Sequence, residues 1–161
     1  MNSLPPYTFL LIILSCLIST ACLILGALIL PLTPVLWTIP GAFLLTVVYH
    51  FVLVLLSNAV TDRSKRLFST LTVGGAYLLT LLWAGVLAIS ITFAVFLAQG
   101  KVQPVRGSPK INPILITMSG FAFFHPFILF TIGVILHKER RQEQYREKWK
   151  WKTQTNTSNW R

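Results

Sequence analysis

The chain has 161 residues, of which 54% are hydrophobic and only 11% charged. Soluble domains carry roughly 25% charged residues, and a soluble domain of this size could not bury so much apolar surface. The net charge of +10 would suggest nucleic acid in a soluble protein. Here the first charged side chain is Asp62, and the basic residues lie between and after apolar blocks. That segregation is the pattern of membrane flanks and excludes a nucleic-acid face.

Four apolar runs follow in chain order, at about 7–30, 41–60, 70–98 and 114–136. Each reaches the roughly 20 residues that a helix needs to cross the hydrocarbon core. Backbone groups in lipid must be satisfied within the segment, so runs of this length predict helices. The expected fold is all-α: a polytopic membrane protein with an antiparallel bundle of four transmembrane helices over 1–136 and a basic tail over 137–161. The first run is not expected to be a cleaved signal, since it lacks a basic n-region and exceeds the usual apolar length of about 7–15 residues. Cys16 and Cys22 lie in this run on different helix faces, and are expected to be reduced packing residues.

The connections differ in character. The 31–40 stretch, PLTPVLWTIP, is uncharged and reads as an interfacial turn, with Trp37 suited to the headgroup level. The 61–69 stretch is short and basic, and 99–113 reads as a Pro/Gly-rich irregular loop. If the N-terminus is cytoplasmic, Arg63, Lys65, Arg66 and the eight basic residues of the tail lie inside. Only Lys101, Arg106 and Lys110 then lie outside, so both termini are expected in the cytoplasm. The sequon Asn156-Thr157-Ser158 would then be silent, and the basic match at Arg63 to Arg66 would face away from secretory proteases.

None of the four runs contains Asp, Glu, Lys or Arg. Ion-coupled carriers commonly need an intramembrane carboxylate or charged pair. Carboxylate-based hydrolysis and triad chemistry lack their acids as well. The expectation is a non-enzymatic protein with no catalytic residue, no cofactor and no metal. Two histidines do lie within the runs. His50 and His125 each fall about 15–17 Å deep, near the midplane. Two imidazoles at one depth raise the possibility of a bis-His haem. The plainer reading is two neutral rings bonded to hydroxyls or carbonyls on neighbouring helices.

His50 shares a face with Thr46, Leu53 and Ser57, a polar stripe expected to look into the bundle. His125 stands about 100° from the stripe of Thr117, Gly120, Phe124 and Thr131 on its own helix, so pairing with His50 is not favoured. Pro126 removes one helical bond and is expected to kink the fourth helix. Small residues form stripes at Ser15, Ser19, Cys22 and Gly26 on the first helix, and at Thr80, Ala84, Ala88 and Thr92 on the third. Such stripes let helices approach in lipid. Trp83 reads as a packing or lipid-facing ring.

The tail begins HKERRQEQYREKWKWK and is expected to continue the fourth helix, then become disordered over TQTNTSNWR. Lys148, Trp149, Lys150, Trp151 and Lys152 combine an interface-seeking ring with cations that attract anionic headgroups. They are the expected membrane-surface contact, provided the tail bends back; otherwise they dock on a protein.

Over 7–150 the layout resembles small four-pass, MARVEL-like membrane proteins and four-helix membrane proteins of fungal genomes. The likeness is one of architecture. The paired cysteines and tryptophan of the claudin outer loop, the Cys-Cys-Gly of tetraspanins and the membrane glutamate of small multidrug transporters are all missing. The resemblance implies membrane apposition or organisation, and it carries over no functional residue. The first functional expectation is a membrane-organising or scaffold protein whose partners are the bilayer, anionic headgroups and a homo- or hetero-oligomer. The alternatives are a small transporter or channel subunit using the His50 face, and a haem-binding electron carrier. The cellular membrane involved is not legible.

Overall fold

The computed structural model describes residues 6–29, 37–58, 69–101 and 111–158. These form four helices: α1 (Pro6–Ile29), α2 (Thr38–Asn58), α3 (Thr70–Ala98) and α4 (Ile111–Ser158). Each is long and apolar enough to cross a membrane, which makes the chain a multi-pass membrane protein. The expected loop at 61–68, the 31–36 turn residues, the basic residues at 106 and 110, and the end of the tail at 159–161 lie outside the described residues.

Three helices begin with a proline in their first turn: Pro6, Pro40 and Pro113. The first four N–H groups of a helix have no intrahelical acceptor, so proline there forfeits nothing and presets φ. This is why α2 begins at Thr38 and α4 at Ile111, earlier than the prolines suggest when read as stops. The start of α3 is capped by Ser69, whose hydroxyl accepts from the Thr72 amide at 3.3 Å. Its end is closed by Gly100 in the left-handed region, φ 67°. There the Gly100 amide bonds Leu97 O at 3.1 Å and the Lys101 amide bonds Phe96 O at 3.0 Å. Those two bonds make a Schellman motif, which a residue with a Cβ would strain.

The helices form a closed ring in which α1 packs on α2, α2 on α3, α3 on α4 and α4 back on α1. Contacts show that neighbours are antiparallel. Gly26 meets Ile39 while Ser15 meets His50; Trp83 meets His125 while Gly133 meets Ala76. Buried positions recur at spacings of three and four: Ser15, Ser19 and Cys22 on α1, Ala42, Thr46, His50 and Leu53 on α2, Ala76, Leu79, Trp83 and Val86 on α3, Met118, Ala122, His125 and Leu129 on α4. That spacing puts each set on one face of its helix. The opposite faces are also apolar and exposed, as a lipid-facing surface must be.

Two expected faces differ from the structure. On α3, Ala84, Ala88 and Thr92 are exposed and Thr80 only half-buried, while Trp83 is fully buried. On α4, Thr117, Gly120, Phe124 and Thr131 face outward, and the flank bearing Met118, Ala122 and His125 faces the core. The reason is local. Thr80, Thr92, Thr117 and Thr131 each donate to the carbonyl four residues earlier, at 2.7–2.9 Å. A hydroxyl satisfied on its own helix can face lipid at little cost.

Close approach is set by glycine. At Gly133 a Cβ would stand 3.3 Å from the Ala76 methyl and 3.3 Å from the Tyr77 ring. At Gly120 it would meet nothing within 4 Å. Gly133→Val therefore separates α3 from α4 and is expected to lower stability by about 1–3 kcal/mol. Gly120→Ala should leave stability unchanged or raise it by up to about 1 kcal/mol. Unfolding midpoints in a detergent titration check the contrast, and equal midpoints would contradict the packing described.

Candidate functional site

The most polar part of the bundle interior is a layer near its middle. On α1, Ser15 and Ser19 are buried; on α2, Thr46 and His50; on α4, His125 is fully buried. The apolar core is split around this layer. One cluster holds Cys22, Ile39, Ala42, Trp83, Leu115 and Met118, and the other holds Ile12, Leu53, Val73, Ile132 and Leu136.

Side chains across the layer are joined pairwise between helices. His50 Nε2 lies 2.8 Å from Ser15 Oγ, linking α2 to α1. Trp83 Nε1 donates to Thr46 Oγ1 at 2.9 Å, linking α3 to α2. Thr46 in turn donates to Ala42 O at 2.7 Å, so its one hydroxyl both gives and receives. Tyr49 donates to Thr72 O at 2.9 Å, with its ring in the space left by Gly75, where a Cβ would approach it to 3.0 Å. His125 packs its ring against the Trp83 indole, centroids 4.2 Å apart.

Thus Thr46 and His50 stand on the inner face, as their stripe predicts. Ser57 is half-buried and closes its hydroxyl onto Val54 O at 2.8 Å, taking no part in the layer. The structure turns His125 into the bundle, where its ring meets Trp83, because the α4 hydroxyl stripe is turned to lipid. Pro126 is buried beside it, and α4 runs through it without ending. Ser15, Tyr49 and Trp83 were not legible as partners. The signal for Ser15 and Trp83 was depth: an indole N–H at mid-membrane needs an acceptor at its own level.

Among the described residues, three buried imidazole nitrogens have no hydrogen-bond partner: His50 Nδ1 and both nitrogens of His125. A neutral imidazole carries one donor and one acceptor, so His125 leaves both unmet. Each such buried group costs about 1–3 kcal/mol. Among the described residues, no cluster of three or more His, Cys, Asp or Glu stands together.

The layer's chemistry is therefore positional: it pins four helices at one level. Thr46→Val leaves the Trp83 N–H unmet and is expected to lower stability by about 1–3 kcal/mol. Adding Trp83→Phe removes the orphaned donor, so the double variant should lose less than the two single losses together. His125→Leu removes two unmet groups and is expected to raise stability by about 1–3 kcal/mol. Denaturation of each variant in bicelles is the check, and a destabilised His125→Leu would overturn the reading of that ring as unsatisfied. Comparisons with protein-family models, curated proteins and solved structures found no match, so function is argued from geometry.

Proposed function

We propose that the chain is a non-enzymatic membrane-organising protein, in which a four-helix anchor holds a basic aromatic helix out from the membrane. The observation that carries this is the continuity of α4. It runs unbroken from Ile111 to Ser158, so the tail is helical where TQTNTS was expected to be disordered. At 1.5 Å per residue, Trp149 lies about 20 Å along the axis beyond Leu136. Lys148 and Trp149 are exposed, as is Tyr145 one turn earlier; the side chains of Lys150, Trp151 and Lys152 lie outside the described residues.

A helix of this length favours contact with a second surface over bending back to its own bilayer. The charge excess at this end supports a cytoplasmic orientation for it, and lysine and arginine near an anionic surface contribute about 1 kcal/mol each. The four-pass, MARVEL-like layout fits the same class of role, membrane apposition. Second copies or other membrane proteins are natural partners for an anchor whose outer surface is mostly apolar.

The test uses the full chain in phosphatidylcholine vesicles, mixed with acceptor vesicles containing phosphatidylserine. Clustering, followed by light scattering, is expected at low salt and should weaken as salt rises. It should be lost when Lys148, Lys150 and Lys152 are all changed to glutamate, and should not occur with acceptors lacking phosphatidylserine. Clustering that survives the triple change would refute the proposal.

A further inference from the structure

The outward face of α4 carries one unbroken line from the membrane interior to the tail. At 100° per residue, Thr131, Val134, Lys138, Arg141 and Tyr145 all fall within about 40° of the direction of Phe127. Two grooves lie along this line. The first, about 330 Å³, sits in the seam between α1 and α4 and is lined by Leu11, Leu14, Ile18, Phe127, Ile128 and Thr131, with Phe124 at its margin. The second, about 390 Å³, is lined by Val134, His137, Lys138, Arg141, Gln142 and Tyr145. Thr131 of the first and Val134 of the second are neighbours one turn apart.

We propose that these two grooves together are a binding site for one anionic glycerophospholipid, with an acyl chain in the α1–α4 seam and the headgroup phosphate at Lys138 and Arg141. The dimensions agree. Phe127 and Lys138 are about 16 Å apart along the helix, and one leaflet with its headgroups is about 20 Å deep. The seam is lined by apolar side chains and by a threonine whose hydroxyl is already bonded to Phe127 O at 2.7 Å. It offers a polar guest nothing and an acyl chain an open apolar groove.

The charge agrees as well. Among the described residues, Lys138 and Arg141 make no ion pair; the pair on this stretch is Glu143 with Arg146, at 3.7 Å. Glu139 and Glu143 lie about 120° and 160° from the Phe127 direction, turned away from the groove. The two cations are thus free to meet a phosphate, where Arg141 can make a forked contact.

This deepens the reading of α4 as a helix that runs from the bundle out past the membrane surface, and it rests on that reading, but it uses different residues from the vesicle contact. The full chain is reconstituted with equal phosphatidylserine and phosphatidylcholine, extracted gently, and its retained lipid counted by native mass spectrometry. Retention of phosphatidylserine in preference to phosphatidylcholine is expected. Lys138→Gln with Arg141→Gln should reduce that preference severalfold, and Leu14→Trp, which fills the seam, should reduce retention of the lipid itself. The charge variant alters only exposed side chains, so its helical content and unfolding midpoint should match the parent. The Lys148, Lys150 and Lys152 glutamate variant should keep the retained lipid while losing vesicle clustering, which separates the two ideas. Equal retention of both lipids, an unchanged preference in the Lys138/Arg141 variant, or full displacement of the lipid by inorganic phosphate would each overturn the site.

Discussion

The bond from the Trp83 indole to the Thr46 hydroxyl is the contact on which the register of the bundle depends. In water, helices are driven together by the burial of apolar faces. In lipid that drive is nearly absent, because a leucine loses little by facing an acyl chain. An apolar helix could then slide along or rotate against its neighbour at small cost. A buried N–H at mid-membrane removes that freedom, since displacement by one turn would leave it without an acceptor. His50 on Ser15 imposes the same condition on α1 and α2, at nearly the same level. Gly26, Gly75 and Gly133 then fix spacing, by admitting Ile39, Tyr49 and the Ala76–Tyr77 surface at close range.

How far this was legible depends on where each polar group finds its partner. The four helices were plain from length and hydropathy, because the bilayer leaves no other structure for such runs. The inner faces of α1 and α2 followed from Ser15 and His50, whose needs are met across a helix interface. The same logic misplaced the faces of α3 and α4. Thr80, Thr92, Thr117 and Thr131 carry the same polarity yet satisfy it on their own backbones. A stripe of hydroxyls is therefore ambiguous in a membrane helix, whereas an indole or imidazole, too rigid and too far from its own backbone to bond it, is a surer mark of the core. The hydrophobic face gave no help, because every face is hydrophobic. The prolines misled in a different way. They punctuate the sequence like stops, but Pro40 and Pro113 sit in first turns and Pro126 sits within α4.

His125 shows that the layer is not optimised for stability alone. It occupies the centre of the bundle, fully buried, with Trp83 against its ring and neither nitrogen bonded. A leucine of similar reach would pack without leaving polar atoms unmet. The contribution the ring does make is geometric. Its contact with Trp83 orients the indole whose N–H serves Thr46, so α4 is tied into the register through a ring contact where α1, α2 and α3 are tied through hydrogen bonds.

That tie has a consequence at the surface. A helix is a rigid rotor, so fixing which residues of α4 face inward also fixes which face outward. His125, Leu129, Ile132 and Gly133 point to the core; Phe127, Thr131, Val134, Lys138 and Arg141 must then lie along the outer side, as they do. Continuity through Leu136 carries this orientation past the bilayer boundary into the basic extension. With a flexible joint after Leu136, the direction of Lys138 and Arg141 would be independent of the bundle and the acyl groove could not line up with them. Because α4 is one helix, a hydrogen bond between Trp83 and Thr46 at mid-membrane sets the azimuth of cations some 20 Å away. The anchor and the charged extension therefore work as a single oriented element.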